Sequence, residues 1–159
     1  MVAIKNEKMR NKILFFTALC LFMGACKDDN NNEPTEPDNV KIEKYVAANN
    51  LSTTVHPSGI HYIITTTGTG ANPTANATVT VKYKGYLLDG TVFDQSTAGI
   101  EFPLKNLIRG WQIAIPLLNK GGKGTFIMPS ELCYGSNPRP GIPANSVLGF
   151  EIELIDFKE

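Results

Sequence analysis

Thr78–Leu87 alternates apolar and polar side chains and then runs into Asp89-Gly90. Val79, Val81 and Tyr83 fall on one face and Thr80, Lys82 and Lys84 on the other, the period of a strand with one buried side. Asp-Gly is a strong two-residue hairpin signal, because the tightest hairpin turns need positive φ at their central positions. Val92-Phe93 is therefore predicted to begin a return strand. A half-buried hairpin needs cover, and the chain offers one short helix over Ile108–Leu118, where Ile108, Trp111 and Ile115 share a face. Pro116 keeps that helix short or ends it, since proline in a helix interior costs about 3 kcal/mol. Further strands are predicted over Ile60–Thr67, Lys123–Met128 and Val147–Phe157; in the last, Phe150, Ile152 and Leu154 alternate with Glu151 and Glu153. Pro129–Ala144 reads as a loop. The expected fold is α+β: a curved antiparallel half-barrel sheet wrapped around one short helix, burying Trp111 with the sheet's apolar face. A short N-terminal helix over Val40–Asn50, capped by Asp38 or Asn39, carries Ile42, Tyr45, Val46 and Asn49 at helical spacing. It is too short to stand alone and must dock.

The first 25 residues belong to export rather than to this fold. Lys5, Lys8, Arg10 and Lys12 precede the apolar run Ile13–Met23, which is too short for a bilayer needing about 20 residues, and Gly24-Ala25 then leads to Cys26. The pattern resembles a bacterial lipoprotein signal, with Met23 where Leu is usual, and implies cleavage after residue 25 and lipidation of Cys26. Several acyl chains hold a protein on a membrane where one does not. Residues 26–39 are the lipidated cysteine and a polar, acidic tether with too little apolar surface to order itself. Lys27-Asp28-Asp29 resembles acidic surface-directing tags, so the expected location is the outer membrane, facing the periplasm or the cell surface. Removal of residues 1–25 leaves 11 Lys and Arg against 14 Asp and Glu. This balance gives no electrostatic case for nucleic acid.

Conventional catalytic motifs are missing. There is no H-E-x-x-H, C-x-x-C, G-x-S-x-G or phosphate loop. His56 and His61 are read as solvent-exposed residues rather than metal ligands, and no metal or cofactor is expected. Once Cys20 leaves with the signal and Cys26 is lipidated, Cys133 is the remaining thiol, read as a small buried hydrophobe.

Four blocks carry a resemblance: VTVKYKGYLLDGTVFDQS at 79–96, FPLKNLIRGW at 102–111, GGKGTFIMPSELCYG at 121–135 and PGIPANSVLGFEIELIDF at 140–157. In this order and spacing they resemble the FKBP-type peptidyl-prolyl cis-trans isomerases, and the stretch from Gly59 resembles the lead-in strand of bacterial members. The resemblance implies an isomerase domain over 59–159, with 40–58 as an N-terminal helical extension. It also implies a pocket between sheet and helix, with Trp111 as floor, Tyr83, Phe93 and Phe150 as walls, and Asp94 and the Tyr134 hydroxyl as polar groups. Asp94 follows Phe93 directly, so a turn or bulge must redirect it toward the same side. Leu107 and Ile108 border the helix start, where the Ile108 N–H would meet a bound carbonyl. Ile142 is expected at the rim and Ile100 at a wall position often held by Phe.

The implied activity is rotation of X-Pro bonds in unfolded or partly folded exported proteins by a monomer, with macrolide inhibitors as further ligands of the pocket. A proline-binding chaperone module with little turnover is the alternative on the same fold. This sequence departs from the family at Cys133, Arg139, Ala144, Pro116 and Gly149, and the last two are expected to loosen the site. Cys26→Ala is expected to release the chain to the soluble fraction of a lipoprotein-processing host. Fractionation and intact mass check this, and an unmodified Cys26 in the parent chain overturns the anchor.

Overall fold

A computed structural model of the chain describes residues 36–159; the signal segment, Cys26 and the tether up to residue 35 lie outside the described residues. The elements are α1 (Asp38–Ala48), β1 (Thr54–Val55), β2 (His61–Thr66), β3 (Thr78–Leu87), β4 (Val92–Pro103), α2 (Arg109–Ala114), β5 (Lys123–Met128) and β6 (Leu148–Lys158). Six antiparallel strands form one sheet in the order β1-β2-β5-β6-β3-β4. The α+β architecture follows from two apolar clusters on opposite faces of that sheet. On one face α2 and the turn after it set Trp111, Ala114, Ile115 and Leu118 against Val79, Val81, Phe126, Met128, Ile152 and Leu154. On the other, Ile42 of α1 is fully buried against Tyr86, Ile127 and Val147.

The expected strands β3 and β5 have the bounds read from the sequence, and β6 is displaced by one residue. β4 is much longer than its Val92-Phe93 start suggested, because the small and polar stretch Gln95–Gly99 carries no strand period. Two register shifts break its pairing with β3, one between Val81 and Tyr83 and one between Gly85 and Tyr86. The helix ends at Ala114, and Pro116 sits in a single 3-10 turn, Ile115–Leu117, whose geometry does not need its missing N–H. Neither Asp38 nor Asn39 caps α1. The helix starts at Asp38 behind Pro37, inside the expected tether, and the Asp38 carboxylate instead accepts the N–H of Ser130 at 2.7 Å. Partial burial pushes that carboxyl up, but Ser130 and Lys41 outweigh it and hold it below the usual carboxylate value. The histidines are half-buried rather than solvent-exposed: His56 Nδ1 meets the Ser58 hydroxyl at 2.8 Å and His61 Nδ1 the Thr53 hydroxyl at 3.1 Å.

Two neighbouring cross-strand pairs set the spacing of the layers. Gly85 lies opposite Phe150 and Tyr86 opposite Gly149. A Cβ on Gly85 would lie 2.6 Å from the Phe93 ring and 2.9 Å from the Phe150 ring, so those rings lie directly on its backbone. A Cβ on Gly149 would lie 2.3 Å from the Tyr86 ring, on the face covered by α1. The space left by the missing side chain at Gly149 is filled by an aromatic ring from the next strand. Gly149→Val, which restores the usual family residue, is expected to destabilise the fold by about 1–3 kcal/mol through overpacking. Denaturant unfolding checks this, and adding Tyr86→Ala should recover part of the loss.

Candidate active site

Nine residues from separated parts of the chain line a cavity of about 170 Å³ between the sheet and α2. Tyr83 comes from β3 and Phe150 from β6; Phe93, Asp94 and Phe102 come from β4. Leu107, Ile108 and Trp111 come from the start of α2, and Tyr134 from the segment after β5. Trp111 is the floor. Its ring meets Tyr83 at 5.2 Å and 78°, Phe150 at 5.5 Å and 89°, and Phe102 at 6.3 Å and 88°. Phe93 meets Phe150 at 5.7 Å and 84°. Each perpendicular pair contributes about 0.5–1.5 kcal/mol beyond area burial. The indole Nε1 is buried with no hydrogen-bond partner among the described residues. A buried unpaired donor costs about 1–3 kcal/mol, so packing rather than hydrogen bonding holds the floor.

The register shift between Gly85 and Tyr86 leaves Phe93 unpaired between Val92 and Asp94. This bulge turns consecutive residues toward one side, and both Phe93 and Asp94 line the cavity. The Tyr83 hydroxyl donates to Asp94 Oδ2 at 2.7 Å. Burial first and Asp94 second push the Tyr83 phenol up to about 12. Burial raises the Tyr134 phenol as well. At the start of α2, the Gln112 side chain donates to Leu107 C=O at 2.8 Å and fixes the turn into the helix. The Ile108 N–H donates no hydrogen bond among the described residues. Burial pushes the Cys133 thiol up to about 12, which favours the protonated thiol near neutral pH.

The structure thus brings together Tyr83, Phe93, Asp94, Leu107, Ile108, Trp111, Tyr134 and Phe150. Ile100 and Ile142 do not line the cavity. Ile100 stands opposite Val81 on the edge strand, beside a register shift, and is 38% exposed. Phe102, two residues further and opposite Val79, occupies the wall instead and reaches Trp111. Ile142 is buried in the main core, and its backbone closes a turn by exchanging two 2.9 Å hydrogen bonds with Arg139. One lining residue, Phe102, went unassigned in the sequence, as did Gly85, on whose backbone the Phe93 and Phe150 rings lie. A glycine inside an alternating strand was the available signal for close approach at Gly85.

The profile of the FKBP-type peptidyl-prolyl cis-trans isomerases matches residues 70–155. The chain belongs to this family. The chain is 43% identical over 120 residues to the isomerase FkpA of Aeromonas hydrophila, a match covering 72% of this chain and 45% of that one. It is 38% identical over 134 residues to the outer membrane protein MIP of Legionella longbeachae, covering 80% of this chain and 58% of that protein. The crystal structure of a peptidyl-prolyl cis-trans isomerase from Pseudomonas syringae superposes with a TM-score of 0.70 at 35% identity, covering 79% of this chain and 97% of that one. This FKBP-type chain spans less than half the length of the FkpA relatives it matches.

As the chain contains one tryptophan, Trp111 fluorescence reads occupancy of the cavity in this FKBP-type domain. Phe102→Ala removes aromatic contacts and is expected to weaken binding of an Ala-Leu-Pro-Phe peptide about tenfold, or about 1.4 kcal/mol. Ile100→Ala should leave the titration unchanged. The reverse order would return Ile100 to the wall.

Proposed function

We propose that the chain is a peptidyl-prolyl cis-trans isomerase acting on proline-containing segments of exported proteins, held at the outer membrane through a lipidated Cys26. The observation that carries the reading is an apolar cavity whose floor and walls are aromatic and whose charged member, Asp94, is hydrogen-bonded to Tyr83. Rotation about a peptide C–N bond faces about 18–20 kcal/mol because resonance must be broken. At the twisted geometry the amide loses that resonance and its charge separation, so an apolar enclosure favours it over the planar ground state. A thousandfold acceleration asks for about 4 kcal/mol of such differential stabilisation.

Each group then has a part. Trp111, Phe150 and Phe93 receive the proline ring and exclude water from it. The Ile108 N–H, with no partner of its own among the described residues, meets a carbonyl of the bound peptide. Tyr134 offers its hydroxyl to the peptide, and Tyr83 holds Asp94 at the wall. No proton changes hands, so no nucleophile or general base is required. A macrolide that fills the same cavity would compete with the peptide. The outer-membrane location is supported by the basic run, the apolar stretch and the Gly24-Ala25-Cys26 boundary, together with the name of the MIP relative.

The test is turnover of a proline-peptide series by the full chain. Acceleration over the uncatalysed exchange is expected, and its absence overturns the reading in favour of a binding module. Tyr134→Phe should lower kcat/KM by about twofold to tenfold, the range of one net hydrogen bond of about 0.5–1.5 kcal/mol. Turnover should be flat from about pH 6 to 8. Both phenols are raised from their ordinary value and stay protonated there, and neither histidine lines the cavity. A single-proton dependence near neutrality would require a titrating group in the mechanism.

A further inference from the structure

The segment between β5 and β6 carries Tyr134 at the cavity and Ile142 in the core. A connection longer than about 12–15 residues needs fixings if it is to hold a functional side chain still. Some are internal: the Gly135 N–H donates to Ser130 C=O at 2.8 Å, and the Asn145 N–H donates to Gly135 C=O at 2.7 Å. Two more come from α1. The Asp38 carboxylate accepts the Ser130 N–H at 2.7 Å, where the segment leaves β5. The Lys41 ammonium donates to Asn145 C=O at 3.3 Å, where the segment returns toward β6. Lys41 also donates to Asp38 at 3.0 Å, so one ion pair spans both ends of the segment.

This pair differs from the others on the surface. Its side chains are 24% and 18% exposed, against 68% and 41% for Lys44 of the same helix and Glu36 just before it. Shielding from water strengthens an ion pair and its hydrogen bonds. The helix that presents the pair is itself fixed, since Ile42 is fully buried against Tyr86, Ile127 and Val147. A rigid helix therefore holds both ends of a long connection whose middle carries a cavity residue.

We infer that Asp38 and Lys41 are positioning residues of the site: they clamp the two ends of the segment between β5 and β6 and, through it, present the Tyr134 hydroxyl to the cavity. The inference rests on the isomerase reading above. Both residues precede the stretch matched by the family profile, residues 70–155.

The experiment uses the full chain and measures peptide affinity by Trp111 fluorescence, kcat and KM for Ala-Leu-Pro-Phe, and the thermal midpoint. Lys41→Met is expected to raise Kd and KM about threefold to tenfold, with kcat changed less; in a Tyr134→Phe background the same change should add nothing, because the clamp acts through that hydroxyl. Lys41→Arg should restore wild-type values, and Lys44→Met, which breaks the ion pair with Glu36 and does not touch the segment, should leave them unchanged. Asp38→Ala should resemble Lys41→Met. If it fails to fold, Lys41→Met decides alone, since it leaves the Asp38–Ser130 bond in place. An equal factor in both backgrounds, or a folded Lys41→Met protein indistinguishable from wild type, overturns the clamp. A wild type that binds the peptide without turnover overturns the isomerase reading, while peptide affinity still decides the clamp. A wild type that neither binds nor turns over the peptide overturns both.

Discussion

Phe150 opposite Gly85 and Tyr86 opposite Gly149 form the contact on which the rest of the architecture depends. Each pair leaves one backbone bare so that an aromatic ring can lie on it, and successive residues of a strand point to opposite faces. On one face the rings of Phe150 and Phe93 bring the cavity wall down to the sheet. On the other the Tyr86 ring supplies the apolar surface on which Ile42 of α1 docks. The cavity and the helix behind it thus share one pair of strands. A change in either glycine propagates to the layer on its own side first.

Packing rather than polar bonding gives the site its shape. Trp111 meets three rings at nearly right angles, and its own N–H is buried without a partner among the described residues. The polar part is small and set at the wall, with Tyr83 donating to Asp94. Such a site suits chemistry in which charge separation decreases on the way to the transition state. It would serve poorly where charge must develop, because donors there must already be aimed at the growing charge.

Much of this was legible in the amino-acid order. The alternation in Thr78–Leu87 and in the region of β6 marked two adjacent interior strands, and Ile108, Trp111 and Ile115 marked the helix between them in the chain. What escaped were features that depend on register. β4 lacks a period because bulges break it, so the choice between Ile100 and Phe102 depended on a shift that no local pattern encodes. The family resemblance put Ile142 at the rim, yet the turn with Arg139 folds it inward. Asp38 looked like a cap because of its place before a helical run, and only the tertiary fold brings Ser130 to it.

The central pairing also governs how the domain comes into being. Tyr83 pairs with Ile152 across about 70 intervening residues, a loop closure whose entropy must be met before its contacts give any return, and chains dominated by such distant pairings fold slowly. Phe150 reaches the cavity only through that closure, whereas the β3–β4 hairpin and α2 can form from nearby sequence. Forms that keep the hairpin but lack β6 retain Tyr83, Phe93 and Phe102 yet lack Phe150 and the strand against which the floor is buried. Completion of the cavity wall and completion of the core therefore wait on the same strand.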